Sequence, residues 1–148
     1  MHPTTPRKIT GSIRRFVASL GQIGTPADLP FLARSDDYLP SYCLSNCEAE
    51  CRRTQVEIVF GWVIWEFRKN SFIEAEFHSV VRQNGILHDI TPRKDGEERV
   101  LFVPDLTRVA FRENERTWRT WTNHKKQGAT YAPTVQITLE DAKSNVWV

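Results

Sequence analysis

Alternating hydrophobic and polar positions recur along most of this chain, and they predict a sheet of antiparallel β-strands. The strongest signal surrounds Asn84-Gly85, a dipeptide typical of a two-residue type I′ turn because both residues tolerate positive φ angles. The predicted strands cover residues 55–67, 72–83, 86–91, 99–103 and 134–139. Weaker patterns predict a hairpin connection over 93–98, a possible sheet extension over 107–112 and a possible helix over 113–121.

Hydrophobic residues at helical spacing predict helices in the first third of the chain. The first runs from Thr10 or Ser12 to Leu20 and ends at Gly21. A second, short helix is expected over residues 25–35, with a proline at its first helical position. A third helix follows over residues 41–53.

Helices followed by a run of antiparallel strands predict an α+β fold, with N-terminal helices packed on an antiparallel β-sheet. A chain of 148 residues fits one compact domain. Residues 1–9 contain two prolines and no hydrophobic pattern, so we expect a flexible tail there. Residues 10–148 are expected to form a single α+β domain.

Composition narrows the classes of partner. Twenty basic and eighteen acidic residues give a net charge of +2, so no nucleic-acid partner is expected. The longest apolar run, residues 58–65, is far shorter than the roughly 20 residues of a transmembrane helix, so no membrane partner is expected either. The N-terminus lacks the apolar segment of a secretory signal, which predicts a cytoplasmic location.

The turn at Asn84-Gly85 places a histidine beside a carboxylate. In the register that it fixes, Val80 faces Asp89, so Asp89 lies on the same sheet face as His78 and diagonal to it. A carboxylate in that position can fix the imidazole tautomer and stabilise the imidazolium. The same face carries Glu76 and is polar enough to line a cleft. The alternative is a solvated hairpin in which the histidine and the aspartate are merely neighbours.

The helix predicted over residues 41–53 has two possible starts. Ser41 as the N-cap residue places Cys43 in the first turn, whereas Ser45 begins a capping-box pattern and places Cys47 there. A cysteine in the first turn lies among free backbone N–H groups at the positive end of the helix dipole. Its pKa falls there and the thiolate becomes available as a nucleophile.

All three cysteines of the chain, Cys43, Cys47 and Cys51, lie on one side of this helix. With so few residues between them they cannot form a disulfide framework. Cys47 and Cys51 are expected to pack the helix against the sheet as small hydrophobic residues. One alternative is a metal site made by the three thiols with His78 or His88, although such a ladder is an uncommon way to surround zinc. Another is that all three cysteines pack in the core and have no chemistry.

A cysteine at a helix start, a histidine on a following strand and a polar residue on the next strand occur in the order of the papain-like cysteine amidohydrolase superfamily. That superfamily includes NlpC-type peptidases, transglutaminase-like proteins and protein-glutamine deamidases. The chain also resembles small bacterial proteins of this kind and protein N-terminal glutamine amidohydrolase, which has a Cys-x-x-Asn start. The blocks that carry the resemblance are Cys43-Leu-Ser-Asn46, Gly61-Trp-Val-Ile-Trp-Glu66, Glu74-Ala-Glu-Phe-His-Ser-Val80 and His88-Asp-Ile-Thr-Pro92.

The resemblance implies a papain-like fold and a thiol-dependent amidohydrolase that needs no cofactor. Cys43 would attack the carbonyl of a protein or peptide amide, His78 would transfer protons, and Asp89 would orient His78. Asn46 favours Cys43 over Cys47 as the nucleophile, because it matches the Cys-x-x-Asn start. The product of the attack would be a thioester that water hydrolyses.

The resulting oxyanion needs hydrogen-bond donors, of which the Cys43 backbone N–H is the natural first. Candidates for the second are Ser41, Asn46 and the indole N–H of Trp62, although Asn46 could instead brace the helix. Glu76 could attract a basic substrate.

Two functions from other classes compete with hydrolysis. The protein could be a binding or inhibitor protein that docks a macromolecule through a tryptophan-rich surface, or a zinc-stabilised module. Trp118, Trp121 and Trp147 lie outside the motif region, and we assign them to packing or to a partner surface. The sequence leaves the substrate and the oligomeric state open.

Overall fold

The computed structural model of the protein describes residues 2–140 and is an α+β structure of two α-helices and mostly antiparallel sheets. Trp147 and the C-terminal end of the predicted domain, residues 141–148, lie outside the described residues. The helices are α1 (Gly11–Ala18) and α2 (Cys43–Thr54), with a 3₁₀ turn at Arg68–Asn70. The strands are β1 (Ala27–Pro30), β2 (Glu57–Phe67), β3 (Phe72–Gln83), β4 (Ile86–His88), β5 (Arg99–Pro104), β6 (Phe111–Asn114), β7 (Thr117–Trp121), β8 (His124–Gln127), β9 (Thr130–Ala132) and β10 (Gln136–Glu140).

The strands form two sheets. The larger sheet has seven strands in the order β1-β5-β2-β3-β8-β9, and β4 pairs with β3 on the same edge as β8. The smaller sheet has the order β10-β7-β6. The β2–β3 hairpin pairs every residue from Glu57 with Arg82 to Phe67 with Phe72, and it is the longest ladder of the described structure.

The predicted turn is confirmed, since Asn84 and Gly85 have φ angles of 54° and 78°. Val81 faces His88 in the register that this turn predicts. The ladder ends there, so the strand expected to reach residue 91 is shorter than predicted. Asp89, the residue after β4, does not pair with β3. Its backbone N–H donates to the carbonyl oxygen of Pro30 in β1 at 3.0 Å.

The predicted first helix is confirmed. The Thr10 side chain caps α1 by accepting a hydrogen bond from the N–H of Ile13, and the apolar face packs against the larger sheet. The short helix predicted over residues 25–35 is wrong, because this segment contains the edge strand β1, which pairs with β5. Pro30 explains the difference, since proline disrupts the interior of a helix but is tolerated on an edge strand.

Of four further expectations for the second half of the chain, three are corrected and one is confirmed. The 93–98 segment does not close a hairpin, because β5 pairs with β1 and β2 rather than with β4. Residues 113–121 are not helical: β6 and β7 pair in the smaller sheet, and Trp118 and Thr120 alternate with more exposed neighbours along β7. Residues 107–112 contribute the start of β6 to that sheet rather than extending the larger one. The strand predicted over 134–139 is confirmed as β10.

The N-terminal segment expected to be a flexible tail lies against the larger sheet. Thr4 and Glu66 exchange two backbone hydrogen bonds of 2.9 and 2.8 Å, and the N–H of Leu101 donates to the Thr5 hydroxyl at 2.8 Å. Among residues 2–140, no helix is both long and apolar enough to cross a membrane.

Candidate functional site

A gap in strand pairing defines the site. On its outer edge, β3 pairs with β8 over residues 72–75 and with β4 over residues 81–83, so residues 76–80 pair only with β2. The first turn of α2 lies at this gap: Cys43 of α2 and His78 of β3 are in the wall of the same cavity. The N–H of Phe77 donates to Asn123 at 3.3 Å.

The helix start places Cys43 at the first residue of α2. The start at Ser45 is therefore wrong, and the first-turn position of Cys43 is confirmed. Ser41 is not the N-cap residue, however. It has a φ of 70°, and Tyr42 takes the cap position without a capping side-chain hydrogen bond. The Cys43 backbone N–H thus lies at the N-terminal end of α2, where the helix dipole is positive.

His78 and Asp89 form a buried pair. The His78 Nε2 atom lies 2.9 Å from Asp89 Oδ1, and the two side chains are only 2% and 1% exposed. The same Asp89 oxygen accepts the N–H of Thr91 at 3.1 Å. Because Nε2 faces the carboxylate, Nδ1 is the ring nitrogen left to face the Cys43 thiol, whose pKa the charge of His78 lowers.

The three groups shift one another's pKa values. Burial alone would raise the pKa of Cys43, but the charge of His78 and hydrogen bonds from His78 and Ser79 outweigh it and lower the pKa. Burial alone would lower the pKa of His78, yet the charges of Asp89 and Cys43 raise it well above its usual range. Both shifts favour a thiolate beside an imidazolium.

Arg93 is a member of the site that the sequence reasoning missed. One of its terminal nitrogens, Nη2, lies 2.9 Å from Asp89 Oδ2 and 3.1 Å from His78 Nε2. The other, Nη1, lies 3.3 Å from Glu76 Oε1, and the guanidinium is stacked over the Trp65 ring. The Trp65 indole N–H also donates to Glu76, at 3.0 Å.

A cavity of about 740 Å³ opens in front of these groups. Cys43, His78 and Arg93 lie in its wall together with Trp118 and Trp121 from β7. The sequence predicts only packing or a partner surface for these two tryptophans, because they lie outside the motif region. Their indole N–H groups are buried and have no hydrogen-bond partner within residues 2–140.

The predicted oxyanion and substrate residues divide into two groups. Ser41 and Glu76 line the cavity. Trp62 does not: it is fully buried in the core, and its indole N–H donates to Asp105 at 2.9 Å. Asn46 donates through Nδ2 to the Leu39 carbonyl and the Thr91 hydroxyl, at 3.0 and 3.1 Å. Asn46 therefore braces the start of α2, and neither it nor Trp62 is free to hold an oxyanion.

The other two cysteines lie apart from this chemistry. Cys47 is fully buried against the sheet, as predicted, and burial raises its pKa. Cys51 is exposed, so its expected packing against the sheet is wrong; its thiol donates to the Val56 carbonyl at 3.4 Å.

The metal alternative finds no support in the geometry. Within residues 2–140, no three of Cys43, Cys47, Cys51, His78 and His88 bring ligand atoms within 4.8 Å of one another. The group that does so consists of His2, Asp95 and Glu97 near the protein surface.

Comparison with known proteins gave no relative. A scan against protein-family models found no matching family, and searches of curated proteins and of solved structures found no match to the chain. The papain-like resemblance of the sequence remains a prediction, and support for a function comes from the geometry of the site.

Proposed function

We propose that the protein is a papain-like, thiol-dependent amidohydrolase whose nucleophile is Cys43. The observation that carries the proposal is the position of a helix-start thiol beside a buried histidine that is itself paired with a buried carboxylate. Reactive cysteines occur in such settings, whereas a cysteine that only fills space needs neither a charged partner nor a cavity.

The reaction proceeds in two steps. The Cys43 thiolate adds to the amide carbonyl carbon, and collapse of the tetrahedral intermediate forms the thioester as His78 gives its proton to the departing ammonia or amine. His78 then removes a proton from a water molecule as the water oxygen adds to the thioester carbonyl carbon. Collapse of this second tetrahedral intermediate expels the Cys43 thiolate and leaves a carboxylic acid. Asp89 holds the His78 ring through both steps.

The first turn of α2 suits the charge that develops on the carbonyl oxygen. The Cys43 backbone N–H lies at the positive end of the helix, where an oxyanion is stabilised. The buried indole N–H groups of Trp118 and Trp121 border the same cavity. A buried N–H without a partner costs about 1–3 kcal/mol, so a substrate carbonyl that accepted from either group would gain affinity.

The cavity favours deamidation of a glutamine side chain or an N-terminal glutamine over cleavage of an extended peptide. A volume of about 740 Å³ is in the range of pockets that enclose a small-molecule-sized ligand, which a glutamine residue does not exceed. Peptide cleavage by papain-like enzymes needs a groove that grips residues on both sides of the scissile bond. A small peptidase activity is therefore the second reaction to assay.

The test is release of ammonia from a peptide with N-terminal glutamine, a peptide with internal glutamine, and free glutamine. Cys43→Ala should abolish release, because Cys43 is the only cysteine among residues 2–140 that lines the cavity. Cys51→Ala is the matched control, since Cys51 is exposed and away from the cavity. A wild-type protein that releases neither ammonia nor peptide fragments, or a Cys43→Ala variant with full activity, would overturn the proposal.

A further inference from the structure

Arg93 connects the buried pair to the wall of the cavity. Its guanidinium is only 10% exposed and lies between two carboxylates, that of Asp89 at 2.9 Å and that of Glu76 at 3.3 Å. The side chain of Trp65 covers one face of the guanidinium and donates its N–H to Glu76. Arg93 therefore connects the carboxylate of the buried pair to Glu76 and Trp65, which line the cavity.

The contacts of Arg93 and Asp89 indicate where the His78 Nε2 proton lies. Arginine carries only donors, so the close approach of Nη2 to His78 Nε2 cannot be a hydrogen bond when Nε2 is protonated. The Nε2 proton is donated to Asp89 Oδ1, and Arg93 donates to Oδ2. The two oxygens of Asp89 thus have separate partners, and rotation of the carboxylate would break both contacts.

We propose that Arg93 is a positioning residue of the Cys43 site: by holding Asp89 Oδ2 and Glu76 together, it fixes the carboxylate that orients His78 and sets the pH range in which the thiolate and imidazolium coexist. The catalytic part of this proposal rests on the proposed function. The pH range does not, because the reactivity of Cys43 can be measured without a substrate.

The charge of Arg93 acts on both members of the ion pair. It favours the Cys43 thiolate by attraction and opposes the His78 imidazolium by repulsion. Without Arg93, thiolate would form at higher pH and imidazolium would also persist to higher pH. The ionisable groups around the Cys43–His78 ion pair are Cys47 of α2, Glu76 of β3, and Asp89 and Arg93 of the loop after β4. Lys94, Asp95, Glu97, Lys125 and Glu140 line the same cavity.

The first experiment compares Arg93→Gln with the wild type and with Arg82→Gln. Arg82 lies on the same strand as His78 and makes an exposed ion pair with Glu57, so its loss removes the same charge away from the site. The readout is the rate of Cys43 alkylation by iodoacetamide from pH 4 to pH 10, resolved by mass spectrometry. The pH at which Cys43 becomes reactive should rise by about one unit in Arg93→Gln and stay unchanged in Arg82→Gln.

The second experiment uses Arg93→Lys. Lysine keeps the charge but cannot bridge two carboxylates as the guanidinium does. The reactive pH of Cys43 should return toward the wild-type value, while amide hydrolysis stays about tenfold or more below wild type because Asp89 is held less firmly. This variant carries the test if circular dichroism shows that Arg93→Gln does not fold.

Two results would overturn the proposal. The first is a folded Arg93→Gln variant whose Cys43 becomes reactive at the same pH as in Arg82→Gln. The second is an Arg93→Lys variant that hydrolyses amide at the wild-type rate. If the wild type hydrolyses no amide but the reactive pH still moves in Arg93→Gln, the proposed function fails and the role of Arg93 in setting the pH range stands.

Discussion

His78 Nε2 and Asp89 Oδ1 lie 2.9 Å apart in the interior of the protein, although the two residues are eleven positions apart along the chain. The pair is held before any substrate binds, because Asp89 also accepts the N–H of Thr91 and the guanidinium of Arg93. Burial alone would raise the pKa of Asp89, but the charge of His78 and these contacts lower it to about 2. Asp89 is thus ionised throughout the range in which an enzyme of this kind would work.

Asp89→Asn should slow amide hydrolysis and change its pH dependence. The carboxylate charge raises the pKa of His78, so its removal lets the imidazolium lose its proton at lower pH. The alkaline limb of the pH–rate profile should therefore move to lower pH. In Arg93→Gln it should move to higher pH, because the imidazolium persists longer there. The rate at the optimum should fall by about 10²-fold or more.

Asp28→Asn is the matched control, because Asp28 forms an exposed pair with Arg99 and does not line the cavity. It should leave both the rate and the pH profile unchanged. An alkaline limb that does not move in folded Asp89→Asn would contradict the assigned role of Asp89.

Gly61→Ala should destabilise the protein. Gly61 faces His78 in the β2–β3 ladder, and an added Cβ would lie 2.3 Å from the Val103 carbonyl oxygen and 2.9 Å from the Pro104 Cα. Both are backbone atoms that cannot move aside without separating β2 from β5. The free energy of unfolding, measured by urea denaturation, should fall by about 3 kcal/mol.

Gly11→Ala provides the control for this substitution. The atoms nearest to a Cβ at Gly11 belong to the flexible end of the Arg15 side chain. Its free energy of unfolding should change by no more than about 0.5 kcal/mol. Equal stability of Gly61→Ala and Gly11→Ala would show that β2 and β5 are not packed as described.

Glu50→Gln should remove part of the acid sensitivity of folding. Glu50 is fully buried on α2 and accepts hydrogen bonds from Tyr38, Arg34, Arg53 and Thr54. Burial alone would raise its pKa, but these hydrogen bonds lower the pKa from 4.5 to about 2. The stabilisation by Glu50 is therefore complete above its unfolded pKa and is lost as the pH falls from about 4.5 towards about 2.

The measurement is the free energy of unfolding at several pH values. At pH 7, Glu50→Gln should be less stable than wild type by about 3 kcal/mol, and the difference should shrink as the pH falls below 4.5. Glu57→Gln is the control, because Glu57 is exposed and pairs only at the surface with Arg82. A stability difference that stays constant down to pH 2 would contradict the account of Glu50.

Local sequence was sufficient to predict the centre of the site. The turn at Asn84-Gly85 fixes which residues face each other, so the proximity of His78 and Asp89 followed from counting along two strands. The local pattern predicted a helix start at either Cys43 or Cys47, and the match of Asn46 to a Cys-x-x-Asn start favoured Cys43, which is the first residue of α2. These features depend on neighbours in the sequence, which is why they could be predicted.

The rest of the site depends on contacts that sequence patterns do not encode. Arg93 lies in an irregular loop, where no periodicity indicates the direction of a side chain. Trp62, a candidate for the second oxyanion donor, does not line the cavity. Its indole N–H donates to Asp105, which is distant in sequence. Trp118 and Trp121 line the cavity because β6 and β7 pair in a second sheet. The weak pattern of residues 113–121 predicted a helix there instead.

The central claim is that Cys43 is a thiolate activated by His78, and site-resolved alkylation of the wild type near pH 7 tests it most directly. Mass spectrometry after limited iodoacetamide treatment should find Cys43 modified before Cys51, although Cys51 is the more exposed thiol, and buried Cys47 modified last. In His78→Ala the preference for Cys43 should disappear. Faster modification of Cys51 than of Cys43 in the wild type would contradict the account.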